Sequence, residues 1–292
     1  MKVALFGKSI SANDVPYMQD FVDKLISLDG IVYLYKPFFD SIHETIRFSR
    51  EPITFTSQQE IKGKVEYLFS IGGDGTLLDT ITLVGNSGIP VIGINMGKLG
   101  FLSGISKEEI LPALDDIIND KYSIDERTLL HLETTERLFG DLNYALNDFT
   151  VYKSSPNSLL AIKLFVNDEF LNTYWADGLI VATPTGSTAY SLSCTGPIIT
   201  PDSENFVITP IASHNLTVRP IVIPDTSIIR IMIGSRNLNC YIGLDSRILK
   251  LDVPMEMVIR KEDFKIHLLR ISGKNFFETI RAKLNWGLDI RN

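Results

Sequence analysis

The sequence has few of the residues that build disulfide frameworks or conventional metal centres. Among its 292 residues there are two cysteines and four histidines. The cysteines, Cys194 and Cys240, are too few for a disulfide framework, and their separation does not match a zinc-binding motif. The histidines form no pair at the spacing of metal ligands on a helix. We therefore predict a reducing, cytoplasmic environment, and we assign no residue as a metal ligand.

Long apolar runs and an excess of positive charge are also lacking. No stretch approaches the roughly 18 apolar residues of a membrane-spanning helix, and the first apolar run is too short for a secretory signal. The 28 basic and 35 acidic residues give a formal net charge of −7. This balance disfavours nucleic acid or an anionic membrane as the main partner. We predict no nucleic-acid partner and no membrane association.

The length and the 45% hydrophobic content are sufficient for two hydrophobic cores. The first part of the chain alternates strand and helix patterns, which predicts a parallel sheet in a Rossmann-like α/β domain over residues 1–125. The predicted strands are Lys2–Gly7, Ile31–Tyr35, Val65–Ile71 and Pro90–Asn95, and the predicted helices are Val15–Leu28, Leu77–Val84 and a capped helix within Ser106–Lys121.

The pattern changes after Arg127, where period-two runs predict strands without a long helix. We expect an all-β, sandwich-like domain over residues 126–265. Its predicted strands include Leu129–Thr134, Tyr144–Lys153, Ala161–Val166 and Ile228–Ile233, with a hairpin turn at residues 167–169. The tail, residues 266–292, contains a helical pattern at Phe276–Leu284 that ends at residues 285–287. A return of this tail to the first domain is one arrangement that the pattern allows.

The most informative segment is residues 67–80, where an apolar strand leads into a glycine cluster that contains one carboxylate, Asp74. Glycines allow consecutive N–H groups to converge on an anion at the start of the next helix. A carboxylate there is repelled by phosphate unless a metal ion or a transferred proton offsets the charge, so Asp74 is a candidate general base or metal-linked acid. The alternative is a tight turn in which Asp74 caps the helix by accepting from the amides of Leu77 or Leu78.

Further polar segments lie outside this loop. The run from Thr183 to Ser193 carries hydroxyls suited to ribose, amide and phosphate groups, although the same hydroxyls could bond only to their own loop. Asn147 and Asp148 are neighbours near a strand end, and both contact one ligand only if the chain bends there. Phe101 follows a second glycine-containing segment, residues 95–100, and it suits either stacking on a flat ring or core packing.

Together these segments resemble the NAD kinase family, and the resemblance covers nearly the whole chain. The motifs that carry it, in order, are Gly72-Gly73-Asp74-Gly75-Thr76, Leu99-Gly100-Phe101, Asn147-Asp148, Asp177-Gly178, and Thr183–Ser193 with Gly196-Pro197. The resemblance implies transfer of the terminal phosphoryl group of ATP to the adenosine ribose 2′-hydroxyl of NAD, which yields NADP and ADP. It also implies Mg²⁺ or another divalent cation as cofactor and a cytosolic homo-oligomer, either a dimer or a tetramer.

The resemblance also implies roles for individual residues. Asp74 corresponds to the base that accepts the proton of the 2′-hydroxyl, and the phosphate loop is formed by Gly72, Gly73 and Thr76. The implied NAD-binding residues are Gly75, Phe101, Asn147, Asp148, Trp175, Asp177, Thr185, Thr188, Ala189, Tyr190, Ser191, Leu192, Ser193, Ala212 and Asp245.

The sequence departs from the family in three places. Asp148 stands where the family commonly has glutamate, Trp175 stands where relatives often have a basic residue, and Cys194-Thr195 replaces the more usual Ala-Gly between Ser193 and Gly196. None of these positions is the implied base.

Two other functions share part of the pattern. Lipid or sphingoid-base kinases carry the same Gly-Gly-Asp-Gly element, but they need an apolar groove in place of a hydroxyl-rich run. A non-catalytic dinucleotide sensor needs the binding residues but not Asp74.

Overall fold

The structure is a computed structural model that describes residues 1–97, 100–156, 158–234, 239–252, 254–271, 273 and 275–286. The chain divides into two compact units. Unit 1 is Met1–Glu126 together with the C-terminal segment from Ile266, and unit 2 is Arg127–Lys265. None of the helices in the described part of the chain is long and apolar enough to cross a membrane.

The N-terminal segment of unit 1 alternates strands and helices. Its strands are β1 (Lys2–Gly7), β2 (Ile31–Tyr35), β3 (Ile53–Phe55), β4 (Tyr67–Ile71), β5 (Val91–Asn95), β6 (Ile105–Ser106) and β7 (Tyr122–Arg127). Its helices are α1 (Val15–Ser27), α2 (Lys36–Ile42), α3 (Gln58–Ile61), α4 (Asp74–Val84) and α5 (Ile110–Ile118).

Unit 2 is built almost entirely from strands. They are β8 (Leu130–Glu133), β9 (Tyr144–Ala145), β10 (Asp148–Lys153), β11 (Leu160–Val166), β12 (Glu169–Ala176), β13 (Gly178–Ala182), β14 (Asn205–Ile211), β15 (Ile221–Pro224), β16 (Ile229–Gly234), β17 (Asn239–Leu244), β18 (Arg247–Asp252) and β19 (Met255–Lys261). A short helix, α6 (Tyr190–Ser193), follows β13. The chain then returns to unit 1 with β20 (Ile266–Ile271) and α7 (Phe276–Leu284).

The sheet of unit 1 has the strand order β3-β2-β1-β4-β5-β20-β7, and β6 pairs with β5. The neighbours β1, β2, β3, β4 and β5 pair in parallel, and Leu268 of β20 pairs in parallel with Val91 of β5. The central strand β1 is buried on both faces after its first residue, which is typical of a parallel sheet covered by helices. The predicted α/β domain with a parallel sheet is confirmed, and the C-terminal tail does return to it.

Unit 2 contains two antiparallel sheets, ordered β15-β14-β13-β10-β17-β18 and β12-β11-β16-β19-β8-β9. Alternate residues of both sheets form one apolar core, for example Phe149 and Val181 from the first sheet and Leu164 and Ile231 from the second. This packing follows from the period-two pattern, because successive side chains of a strand point to opposite faces. The predicted sandwich-like all-β architecture is confirmed.

The structure differs from several local predictions. Helix α4 begins at Asp74, three residues before the predicted start at Leu77, because Gly73 and not Asp74 is its N-cap. The short strand β3 was not predicted, since two of its three residues are exposed and give no apolar pattern. The predicted strand Tyr144–Lys153 is divided into β9 and β10 by a break at residues 146–147.

Candidate active site

Asp74 lies at the start of α4, directly after the carboxyl end of β4. Its Oδ2 accepts a hydrogen bond from the backbone N–H of Phe101 at 2.8 Å, and its Oδ1 accepts from the N–H groups of Leu102 at 3.1 Å and Ser103 at 3.0 Å. These bonds replace the helix-capping bonds that the alternative interpretation required, so the capping interpretation is wrong. The carboxylate is instead held against the segment that follows β5.

Gly100 permits this approach. A Cβ atom at position 100 would lie 1.8 Å from Oδ1 of Asp74, which is far inside van der Waals contact. Glycine is therefore required at this position while the carboxylate keeps its place. Leu99, which precedes it in the motif, falls outside the described residues. Phe101 is half-buried, and the Nζ of Lys283 lies 5.8 Å from the centre of its ring.

The three glycines beside Asp74 have different roles. Only Gly72 has a positive φ, +152°, and a Cβ there would lie 2.3 Å from the hydroxyl oxygen of Thr76. A Cβ at Gly73 or Gly75 would meet no atom within 4 Å. The positive φ and the contact with Thr76 therefore explain why residue 72 is glycine, but they do not explain the glycines at positions 73 and 75. The other two glycines leave open space over the first turn of α4, where a phosphate group fits the exposed N–H groups of the helix.

Gly75→Ala tests whether this open space is used by a phosphate. We expect the variant to fold and to gain about 0.4–1 kcal/mol in free energy of unfolding, because alanine has less conformational freedom than glycine in the unfolded chain and so loses less on folding. We expect kcat/KM for the phosphoryl donor to fall by about tenfold or more, since the methyl group occupies the space over the helix. Thermal unfolding and steady-state kinetics with varied donor concentration measure both effects. An unchanged kcat/KM would place the donor elsewhere.

Lys8 was not identified from the sequence. It follows the end of β1, and its neighbour Gly7 pairs with Ile71, the last residue of β4. The Nζ of Lys8 lies 2.5 Å from Oδ2 of Asp79 on α4, and its side chain is 66% exposed. This places a cation at the same edge of the sheet as the glycine loop. A strand end followed by a lysine is too common a signal to have predicted it.

In unit 2, Asn147 and Asp148 lie at the break between β9 and β10. The Oδ1 of Asn147 is buried and has no hydrogen-bond partner within the described part of the chain. Burial, together with the negative charge of Asp245, raises the pKa of Asp148 to about 7. Burial also raises the pKa of Asp245, although backbone N–H groups of residues 146–148 oppose that shift. The amide oxygen of Asn147 and the carboxyl group of Asp148 are thus buried without enough hydrogen bonds or opposite charge to offset the loss of water, which is common at binding sites.

The hydroxyls of residues 183–193 mostly bond within the protein. Ser187 donates to the carbonyl of Pro184 at 2.7 Å, Thr188 donates to the carbonyl of Thr185 at 3.1 Å, and Ser191 pairs with Thr209 at 2.9 Å. The guanidinium of Arg127, which the sequence did not single out, donates to the Thr185 hydroxyl at 3.0 Å. The alternative therefore holds only in part, because Ser187 and Thr188 bond to their own loop whereas Thr185 and Ser191 bond to residues outside it.

The last part of this run is more exposed. Tyr190 and Ser193 are exposed, and Ala189 and Leu192 are half-buried at the start of α6 and within it. Burial is the main cause that raises the pKa of Tyr190 and that of Cys194, and the charge of Asp148 adds to it in both cases.

Trp175, Asp177 and Ala212 form a separate group. The N–H of Asp177 donates to the carbonyl of Ile211, which precedes Ala212, and the side chain of Trp175 is 53% exposed. The Nζ of Lys153 lies 2.6 Å from Oδ1 of Asp177. Lys153 was not predicted, because its proximity depends on the pairing of β10 with β13. It supplies a positive charge beside Asp177 although Trp175 carries none.

Comparison with known proteins places these features in a family. Models of the ATP-NAD kinase N-terminal and C-terminal domains match residues 37–122 and 146–270, respectively. The NAD kinase of Cytophaga hutchinsonii is 44% identical over 293 residues, and the alignment covers 100% of both chains. The chain belongs to the NAD kinase family. It is accordingly a phosphotransferase.

Solved structures agree with this assignment of the enzyme. The crystal structure of yeast NADH kinase complexed with NADH matches with a TM-score of 0.89 at 27% identity, over 100% of this chain and 89% of that one. An NAD kinase from Archaeoglobus fulgidus in complex with ATP matches in fold with a TM-score of 0.72 at 22% identity, over 98% and 99% of the two chains.

The described residues of the enzyme contain no group of three or more His, Cys, Asp and Glu side chains that could hold a metal ion. Mg²⁺ in phosphoryl-transfer enzymes is commonly held by substrate phosphates with only one or two carboxylates. Asp74 at the open N-terminal turn of α4 is one carboxylate beside the space where a nucleotide-bound cation would lie. No residue is assigned as a direct ligand.

Asp148→Asn is expected to stabilise the nucleotide-free enzyme, by more at pH 8 than at pH 5. The ordinary pKa of aspartate is 3.8 and that of Asp148 is about 7. Between these values the folded protein holds a proton that the unfolded chain has lost, so stability falls as pH rises through this window and levels off above it. Asparagine does not titrate. Thermal unfolding from pH 5 to 8 measures the difference, and a pH-independent difference would contradict the assigned shift.

Proposed function

We propose that this protein transfers the terminal phosphoryl group of ATP to the adenosine ribose 2′-hydroxyl of NAD, with Asp74 as the general base. The bond between the 2′-oxygen and the terminal phosphorus forms, the bond from that phosphorus to the leaving oxygen of ADP breaks, and the hydroxyl proton passes to Asp74. The observation that supports the proposal is that three backbone N–H groups hold the Asp74 carboxylate at the glycine loop, in a chain of the NAD kinase family.

The hydrogen bonds of Asp74 indicate which oxygen accepts the proton. An ionised carboxylate offers about four lone-pair positions, two on each oxygen. Oδ1 accepts from two backbone N–H groups, whereas among the residues that the structure describes Oδ2 accepts only from Phe101. Oδ2 therefore keeps a position for the ribose hydroxyl. The three backbone donors also fix the carboxylate in one orientation, which general-base catalysis requires.

The phosphoryl donor is assigned to the glycine loop. The open space at Gly73 and Gly75 and the N–H groups at the start of α4 suit the donor phosphates. When bound, Mg²⁺ neutralises the charge that develops on the transferred group. ATP is the proposed donor, in keeping with the ATP-NAD kinase family models that match the chain.

The acceptor is assigned to residues of unit 2. Asn147 presents a buried oxygen without a partner in the described chain, and Asp148 beside it is a protonatable carboxyl. Both suit the hydroxyl and amine donors of adenosine. We place Thr185, Thr188, Ala189, Tyr190, Ser191 and Leu192 around the same nucleoside, Asp177 and Ser193 toward the nicotinamide half, and Trp175 and Ala212 along the same pocket.

The direct test is turnover by the purified protein with Mg²⁺, with either NAD or NADH as acceptor, and with ATP, another nucleoside triphosphate or polyphosphate as donor. An NADP-specific dehydrogenase detects the product. Formation of NADP supports the proposal and identifies the preferred substrates. Phosphorylation of a sphingoid base or diacylglycerol instead of NAD would indicate a lipid kinase. A folded protein that binds NADP but turns over no acceptor would indicate a dinucleotide sensor.

We also propose a cytoplasmic homo-oligomer, either a dimer or a tetramer. The free thiols, one half-buried and one buried, suit a reducing compartment. Strand β12 ends one sheet of unit 2 and exposes Phe170, Leu171 and Trp175, an apolar set that suits contact with a second copy. Light scattering coupled to gel filtration measures the state, and Trp175→Glu should lower it. A monomeric wild type would contradict this part.

A further inference from the structure

The segment Leu146–Asp148 is held by two residues that are distant in the sequence. The carboxylate of Asp245 accepts from the N–H groups of Leu146 at 2.8 Å, Asn147 at 2.7 Å and Asp148 at 3.2 Å, and the N–H of Asp245 donates to the Asp148 carbonyl at 3.0 Å. Thr183 bonds the other two carbonyls: its hydroxyl donates to that of Leu146 at 2.5 Å and its N–H donates to that of Asn147 at 2.9 Å.

Each backbone N–H and C=O of these three residues thus has a partner in Asp245 or Thr183. The segment lies between β9 and β10, and it needs such partners because buried backbone groups are rarely left unpaired. The carbonyl of Asn147 is also approached closely by Gly186, where a Cβ would lie 2.0 Å from that oxygen. The backbone is therefore confined on several sides, while the Oδ1 of Asn147 is left without a partner in the described chain.

Asp245 is suited to this task by its place in a tight turn. Leu244 pairs with Arg247, so Asp245 and Ser246 form a two-residue hairpin turn between β17 and β18, and Asp245 has a φ of +53°. From the same hairpin, the guanidinium of Arg247 donates to the carbonyls of Leu142 and Tyr144. The hairpin thus holds two consecutive segments, because Arg247 bonds the chain before the break and Asp245 bonds the break itself. A carboxylate has only acceptor atoms and can accept from all three N–H groups. An asparagine amide in its place would turn its donor NH₂ group toward at least one of these N–H groups and lose that hydrogen bond.

We infer that Asp245 is a positioning residue, which holds Leu146–Asp148 so that the side chains of Asn147 and Asp148 meet the adenosine of NAD, and which does not itself contact the dinucleotide. The inference rests on the proposed function. It gives Asp245 a different role from the direct contact that the family resemblance implies. Thr183, outside the implied set of binding residues, acts on the same segment from the opposite side.

The test compares Asp245→Asn with Asp168→Asn. Asp168 is a matched control, because it also has a positive φ, +65°, in a two-residue hairpin turn, while its side chain is 91% exposed. Asp245→Asn is expected to raise KM for NAD and the dissociation constant of NADP by about 10- to 100-fold, through loss of hydrogen bonds to a charged group. We expect kcat and KM for ATP to change by less than about threefold. Asp168→Asn should change none of these values.

A second comparison separates positioning from direct contact. Asp245→Asn is added to a variant that already carries Asn147→Ala and Asp148→Ala. If Asp245 acts only through those side chains, the extra substitution changes the NADP dissociation constant by less than about twofold. Multiplication of the two losses would overturn the inference, because it would mean that Asp245 contributes on its own.

Thr183 provides a test that does not depend on the folding of the Asp245 variant. Thr183→Val removes the hydroxyl that bonds the Leu146 carbonyl, and it is expected to weaken NADP binding about tenfold, whereas Thr183→Ser retains the hydroxyl and should restore binding. Equal affinities for these two variants would overturn the inference. NADP binding is measured by calorimetry without ATP, so a protein that binds NADP but does not phosphorylate NAD refutes the proposed reaction while the positioning test still gives a result.

Discussion

Replacing Asp74 by asparagine is expected to lower kcat for NAD phosphorylation by about 10²- to 10⁴-fold, the usual contribution of a general base. NAD binding should remain within about threefold of wild type, because the proposed binding groups lie elsewhere in the chain. Asparagine can still accept from Leu102 and Ser103 through its oxygen, but its NH₂ group then faces the N–H of Phe101. We therefore expect a folded protein with a slightly lower unfolding midpoint. Single-turnover kinetics, calorimetry and thermal unfolding measure these three quantities.

Asp115→Asn is the matched control for the Asp74 variant. Asp115 is an aspartate on the exposed side of a unit 1 helix, where it pairs with Lys24 at 2.8 Å. Its replacement removes the same charge from the same unit. The fold should be retained, because exposed ion pairs contribute little to stability, and kcat should be unchanged. A wild-type rate for Asp74→Asn would show that another group accepts the proton. An equal loss in both variants would indicate an effect of net charge.

Gly100→Ala is expected to reduce kcat by about 10²-fold or more. The new methyl group would lie 1.8 Å from Oδ1 of Asp74, so the carboxylate or the segment after β5 has to move. A displacement of about 1 Å in a catalytic group can lower a rate by about 10²-fold. The hydrogen bonds to residues 101–103 are disturbed as well, and the free energy of unfolding should fall. Kinetics at saturating substrate and urea unfolding measure the two losses.

Gly104→Ala serves as the control for Gly100→Ala. It lies four residues further along the same segment, and its added Cβ meets no atom within 4 Å. We expect near wild-type turnover from it. If both alanine variants lose activity equally, the flexibility of the segment matters more than the space beside Asp74. If neither does, the carboxylate moves away from Gly100 during the reaction.

Strongly patterned elements were predictable from the sequence. The predicted bounds of Lys2–Gly7, Ile31–Tyr35 and Phe276–Leu284 equal the observed ones. In these elements the local pattern and the tertiary environment agree, because each buries its apolar residues or has a capped start. The capping box of α7, formed by Asn275 and Glu278, is an example. The parallel and antiparallel units were predictable for the same reason.

Long-range pairings were not predictable in this way. The continuous run Tyr144–Lys153 satisfies a strand pattern, but the bonds from Asp245 and Thr183 divide it. Asp245 lies 98 positions from Asn147 in the sequence, and Thr183 lies about 36 positions from it. No local sequence pattern therefore predicts the break. Lys153 beside Asp177 and Lys8 beside Asp79 are further examples, since strand pairing and helix placement bring them together.

The class of fold, the family and the residue types of the glycine loop could be inferred from the chain alone, because periodicity, glycine placement and motif order are properties of a sequence. The use of the polar groups follows from the folded structure. Asp74 bonds the segment after β5 in place of its own helix, the hydroxyls after β13 bond partly to their own loop and partly to distant residues, and Asp245 supports the segment that carries Asn147. These outcomes depend on which distant donors reach each acceptor when the backbone becomes buried, and sequence order does not specify that geometry.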